Sequence, residues 1–121
     1  MIHHLTLRVT DLAKARALYV AALAPLGYEV LVESEGGVGL GADENPDLWL
    51  VQDPAHVHPM HLAFAAPSRQ AVDAFHAAAL AAGAKDNGGP GLRAHYHATY
   101  YAAFVLDDDG NNIEAVTLRS E

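Results

Sequence analysis

Apolar and polar residues alternate with a period of two over residues 1–9. Leu5, Leu7 and Val9 fall on one side and His4, Thr6 and Arg8 on the other, which is the pattern of a half-buried strand whose leucine side faces the core. Asp11 then stands where a helix N-cap belongs. Leu12, Ala15, Tyr19, Leu23 and Leu26 recur at helical spacing, so a helix is predicted from about Leu12 to about Leu23, ended by Pro25 and Gly27. Three strand-like runs follow, Tyr28–Glu33, the glycine-flanked Val38–Gly41, and Asp47–Gln52. Residues 53–59 hold Pro54 and Pro59 without periodicity and read as a linker. A second helix is predicted over Arg69–Ala82, with Val72, Phe75 and Ala79 on its apolar stripe. The glycine-rich run Lys85–Ala98 reads as a loop. Tyr100–Leu106 and Ile113–Leu118 supply the last two strands, joined by a turn over Asp107–Asn112.

The order of these elements repeats. His4 stands seven residues ahead of Asp11, as His61 does ahead of Ser68, and Tyr19 and His76 each follow fifteen residues after their histidine. Such self-similarity marks an internal duplication. The expected fold is α+β, with one module over residues 1–52, the linker 53–59, and a second module over residues 60–121. Neither half buries both faces of its own sheet, so two tandem βαβββ modules pair into a cupped, barrel-like mixed sheet with the helices outside. The sheet faces turned away from the helices then enclose a cavity.

Composition narrows the function classes. The chain has 121 residues, 51% hydrophobic and 18% charged, as one folded domain requires. Fifteen acidic against seven basic residues give a net charge of −8, which argues against nucleic acid and anionic membrane surfaces as partners. With no cysteine there is no disulfide, thiolate nucleophile or thiolate metal ligand. No apolar leader or bilayer-length apolar run is evident, and a cytoplasmic location is expected.

The candidate chemistry begins at Glu114, a carboxylate set among apolar neighbours in FVLDDDGNNIEAV. It shares a strand face with Val116 and Leu118, while Ile113 and Ala115 point the other way. Either this is the wet face of an edge strand, or the carboxylate meets a cation, a metal or good donors. Eight histidines offer partners. His4 and His61, each opening a module, point into the expected cavity with Glu114. His56 and His58 fall in the proline-bounded linker and are expected to be exposed, and His76 on a helix flank. His95 and His97 lie in the glycine-rich segment, where His97 is a candidate general base near neutral pH. Arg8 is a candidate holder of an anionic substrate group, or else the partner of a surface acid. Tyr100 shares parity with Phe104 and is a candidate proton donor, or else an amphipathic core residue. Thr6, Trp49, Ala63, Ala102 and Phe104 are expected to line the pocket.

Three stretches, HHLTLRVTDL, MHLAFAAP and FVLDDDGNNIEAV, resemble the vicinal oxygen chelate superfamily, and the resemblance runs over nearly the whole chain. That superfamily includes glyoxalase I, extradiol dioxygenases, methylmalonyl-CoA epimerase, fosfomycin-modifying thiol transferases and bleomycin-binding proteins. The resemblance implies a metal site on the first and last strands of each module, mapping onto His4, His61 and Glu114. The fourth ligand of glyoxalase I falls here on Trp49. Two imidazoles and one carboxylate suit Mn(II), Fe(II), Ni(II), Co(II) or Zn(II) and leave positions open for a substrate that chelates through oxygen. The implied activity is that of a metal-dependent lyase, isomerase, dioxygenase or transferase using the ion as a Lewis acid. The alternative is a metal-free binding or resistance protein that holds a small molecule in the same cavity. Modules in this superfamily pair within a chain or between chains. A homodimer is expected, with each site inside one chain or with His4 contributed across the interface to His61 and Glu114.

Overall fold

A computed structural model describes residues 1–121. In chain order the elements are β1 (Leu5–Val9), α1 (Leu12–Leu23), β2 (Glu29–Glu33), β3 (Gly37–Gly41), β4 (Leu48–Gln52), β5 (His61–Ala65), α2 (Arg69–Ala81), β6 (Lys85–Leu92), β7 (Tyr101–Leu106) and β8 (Asn112–Thr117). Single 3₁₀ turns occupy Ala24–Leu26 and Pro54–His56. The strands form two four-stranded sheets with orders β1-β4-β3-β2 and β5-β8-β7-β6. In each, the first strand runs parallel to the last and the other pairings are antiparallel. The chain is thus a tandem pair of βαβββ modules with open, mixed sheets.

The helices start and stop by matching devices. The Asp11 carboxylate accepts from the Lys14 amide at 3.2 Å, and the Ser68 hydroxyl accepts from the Ala71 amide at 3.1 Å. Gly27 and Gly83 end the two helical segments with φ of 91° and 105°, a left-handed conformation that a side chain disfavours. Both helices pack on one shared core of 20 buried apolar residues drawn from both modules. It takes Leu7 and Val9 from β1, Val72, Phe75 and Ala79 from α2, and Ile113 and Ala115 from β8. The expected strand parity holds, since Leu7 and Val9 are buried while Thr6 and Arg8 are exposed.

A buried knot fixes the β7–β8 turn to α1. The Tyr19 hydroxyl donates to Asp107 at 2.6 Å, and Asp107 also accepts from the Asn111 amide and side chain, both at 2.8 Å. Burial, then the charge of Asp107, holds the Tyr19 phenol far above its ordinary value. The turn therefore enters β8 from an anchored point.

Two expectations are corrected. The run Lys85–Ala98 is not all loop, because residues 85–92 form β6, paired antiparallel with β7 at the sheet edge. Its register slips between Asp86 and Gly88 and again between Gly88 and Gly91. Such bulges, and an edge position that asks nothing of Pro90's missing N–H, admit glycine and proline. The first strand is also shorter than residues 1–9, starting at Leu5, because its partner β4 starts at Leu48. No helix is long and apolar enough to cross a membrane.

Candidate functional site

Cross-strand register builds the site. Ala63, Glu114, Phe104 and Gly88 are paired in sequence across β5, β8, β7 and β6, forming one row over the second sheet. Ile113 and Ala115 are drawn into the core, so Glu114 between them projects from the opposite face. It is nonetheless only 2% exposed.

Two groups satisfy its carboxylate. His61 Nε2 lies 2.8 Å from Oε1, and the Tyr100 hydroxyl donates to Oε2 in a short hydrogen bond. The only basic side chain Glu114 meets is this histidine, whose own side chain is half exposed. A buried carboxylate is therefore held without lysine or arginine, and a water-accessible imidazole stands beside it. Tyr100 has its pKa pushed up to about 12, first by burial and then by the hydrogen bond to Glu114. It stays a neutral phenol and a proton donor at physiological pH.

A folded-state pKa raised above the ordinary value of 10 contributes stability that is fully present below pH 10 and is lost as pH rises toward 12. The phenols of Tyr19 and Tyr28 are shifted the same way by burial and then by their aspartate partners, and that of Tyr101 by its hydrogen bond to Asp73 and then by burial. Urea midpoints are expected to fall over that interval, and the fall to be shallower in Tyr100→Phe.

The other predicted site residues are distributed as follows. His4 is exposed, with its Nδ1 2.9 Å from that of His3. Within one chain no group of three His, Asp or Glu side chains gathers around a metal-sized space. Trp49 pairs in register with Thr6 on β1 and Gly39 on β3, the place in the first sheet that Glu114 holds in the second. A Cβ at Gly39 would come within 3.0 Å of the indole, so glycine lets the ring lie close over β3. Arg8 Nε is bonded to Asp53 at 3.1 Å, and Asp53 also meets His56. His56 first, then Arg8, holds that half-buried carboxyl below its ordinary value. The His97 ring accepts from the Thr99 amide at 3.2 Å, and its hydrogen bonds stay within its own loop. Ala63 is exposed beside Glu114, while Ala102 is fully covered. Phe104 is half-buried, its ring centre 6.2 Å from that of His61. His56 and His58 are exposed. His76, on α2, contacts Asp86 at 2.9 Å. Tyr96 bridges the loop to the site, packed on His95 and edge-on to Tyr100.

Sequence reasoning passed over Arg93. Its guanidinium carbon lies 5.3 Å from the centre of the Phe104 ring, and it donates to the carbonyls of Gly91 and Gly89 at 2.8 and 2.9 Å. The available signal was a lone arginine directly after GGPGL in an acidic chain. A cavity of about 640 Å³ also exists, between α1, the end of α2 and the β7–β8 turn. Its lining includes Thr10, Lys14, Tyr19, Gly83 and Asp108, on the helix side of the molecule, and excludes Glu114.

Comparison with known proteins agrees with this architecture. Residues 1–115 match the model of the Glyoxalase/Bleomycin resistance protein/Dioxygenase superfamily. A glyoxalase/bleomycin resistance protein from Albidiferax ferrireducens T118 superposes with a TM-score of 0.77 at 29% identity, covering 93% of this chain and 94% of that one. A family enzyme from Burkholderia phytofirmans PsJN gives 0.75 at 19% identity, covering 98% of both chains. A glyoxalase-related enzyme from Fulvimarina pelagi gives 0.73 at 16%, covering 96% of this chain and 86% of that one. The last two likenesses concern the fold alone. No curated protein matches the sequence.

Proposed function

Because the chain belongs to the Glyoxalase/Bleomycin resistance protein/Dioxygenase superfamily, we propose that it is a metal-dependent enzyme acting on a small oxygen-rich molecule at the open face of its second sheet. The observation that carries this reading is Glu114, buried, with a half-exposed histidine as the sole basic side chain it meets. A carboxylate oxygen and an imidazole nitrogen 2.8 Å apart form a donor set suited to a first-row divalent ion. His61 and Glu114 are two of the protein ligands. His4 of a second copy is the third, which makes the working unit a homodimer. Bound there, Mn, Fe, Ni, Co or Zn supplies Lewis acidity to oxygens of the substrate.

The chain's own residues set the conditions. Tyr100 keeps its proton and holds Oε2 of Glu114 in place. Phe104, its ring centre 6.2 Å from that of His61, provides an apolar wall that limits water around the reacting groups.

Titration calorimetry on chelator-stripped protein tests the proposal. Mn(II), Zn(II), Ni(II), Co(II) or anaerobic Fe(II) is expected to bind with a Kd of about 1 μM or tighter, roughly −8 kcal/mol. The light-scattering mass is expected at about twice 12.8 kDa. Failure of all five ions to bind sinks the metal reading. The second reading, metal-free capture of a small molecule, draws on the meeting of only two ligand-type side chains in one chain. It predicts small-molecule binding that survives Glu114→Ala.

A further inference from the structure

We propose that Arg93 is an anion-binding subsite that fixes the substrate class as a small monocarboxylic acid with a flat apolar body. The inference rests on the reading of the Glu114 face as the working site, and it adds what that face selects.

The guanidinium is preorganised on three sides. Phe104 lies beneath it at cation–π distance. The carbonyls of Gly89 and Gly91 take one N–H each. On the third side β6 withholds its side chains, since a Cβ at Gly88 would come within 3.1 Å of Nη2, and one at Gly91 within 3.3 Å of Nη1. The slot therefore exists because those positions are glycine. Of the five N–H donors of an arginine two are used here, leaving three for a ligand.

Arg93 also lacks a counter-charge. Arg8, Lys14 and Arg16 each pair with a carboxylate, whereas Arg93, like Arg69, Lys85 and Arg119, meets none, and of these four it is the one whose guanidinium is fixed over Phe104 in the row that carries Glu114. A rigid guanidinium with free donors and no acid beside it is matched to an external carboxylate, which it binds through two parallel hydrogen bonds. No second cation joins it, so a single negative charge fits better than a phosphate dianion.

Its place on the sheet sets the ligand's shape. Gly88 and Glu114 are each paired with Phe104, on opposite sides of it. The anion subsite and the Glu114–His61 pair are thus about two strand spacings apart, roughly 10 Å. Phe104 lies between them, its ring near both Arg93 and His61. A molecule whose carboxylate rests on Arg93 sets an aromatic or other flat apolar body beside the Phe104 ring, whose face the guanidinium covers, and presents its far end to Glu114 and His61.

The test is titration of chelator-stripped, full-length protein with benzoate, benzamide and inorganic phosphate, followed by NMR shift changes. Benzoate is expected to bind and benzamide not to bind measurably. Arg93→Met is expected to weaken benzoate about 10- to 100-fold through loss of the charge-assisted pair, and Arg93→Lys about tenfold through loss of its two-pronged geometry. Metal titrations of both variants, run separately, are expected to match the parent. Benzoate binding that is lost in Arg93→Met while the variant keeps its melting temperature supports the subsite, even should no metal bind. Absence of benzoate binding, equal affinity in Arg93→Met, or a preference for phosphate overturns the assignment.

Discussion

Glu114→Ala is expected to weaken divalent-metal binding by at least about 100-fold while lowering Tm by only a few degrees. Loss of groups that merely orient a metal ligand typically costs 10- to 100-fold in affinity, so loss of a ligand lies at or beyond the upper end of that range. The small change in stability follows from where the partners sit. His61 is half exposed and Tyr100 is partly so, and both recover hydrogen bonds from water once the carboxylate is gone. The substitution also removes a carboxylate buried without a permanent cation, and relief of its desolvation offsets the two lost bonds. Glu114→Gln separates charge from shape. It keeps an acceptor for Tyr100 and is expected to lose the metal as well. Calorimetry and thermal unfolding on the same samples check the pair, and a variant that keeps metal affinity would remove Glu114 from the ligand set.

Phe75→Ala is expected to show the converse pattern. Phe75 is fully buried on α2, between Val72 and Ala79 in the helix's apolar stripe and within the core that takes Ile113 and Ala115 from β8. Truncating such a ring removes its burial and leaves a cavity, with a cost of about 3–5 kcal/mol. For a domain of this length that lowers Tm by more than about 10 °C. Glu114 stands on the reverse of the strand that carries Ile113 and Ala115, so the same core sets its position. Below the lowered Tm the variant is expected to bind metal more weakly than the parent though no ligand has changed. A melt that moves by less than about 3 °C would mean that the core repacks around the gap.

What the sequence disclosed depended on whether side chains could report the backbone's period. Leu7 and Val9, the paired caps Asp11 and Ser68, and the stripe of Val72, Phe75 and Ala79 all announce their surroundings through spacing. The parity that isolates Glu114 from Ile113 and Ala115 was legible for the same reason. Strand β6 was not, because KDNGGPGL offers no alternation to count and its register slips twice. Arg93 was hidden with it. Its contact with Phe104 is made by cross-strand register, which no local window contains. The relation of His4 to His61 was equally illegible, since it depends on how whole modules are placed, and periodicity within either one is silent on that.

The slipped strand has a consequence for colloidal behaviour. An outermost strand of eight residues bordering a sheet is a template on which another chain can add by main-chain hydrogen bonding, the first step toward fibrils. Here the template is spoiled along its length. Pro90 removes a donor, Gly88 at φ 144° bends the ribbon, and each break in register interrupts the even ladder that a docking strand would need. The segment that makes room for the guanidinium therefore also keeps the molecule's most extended border from recruiting its neighbours.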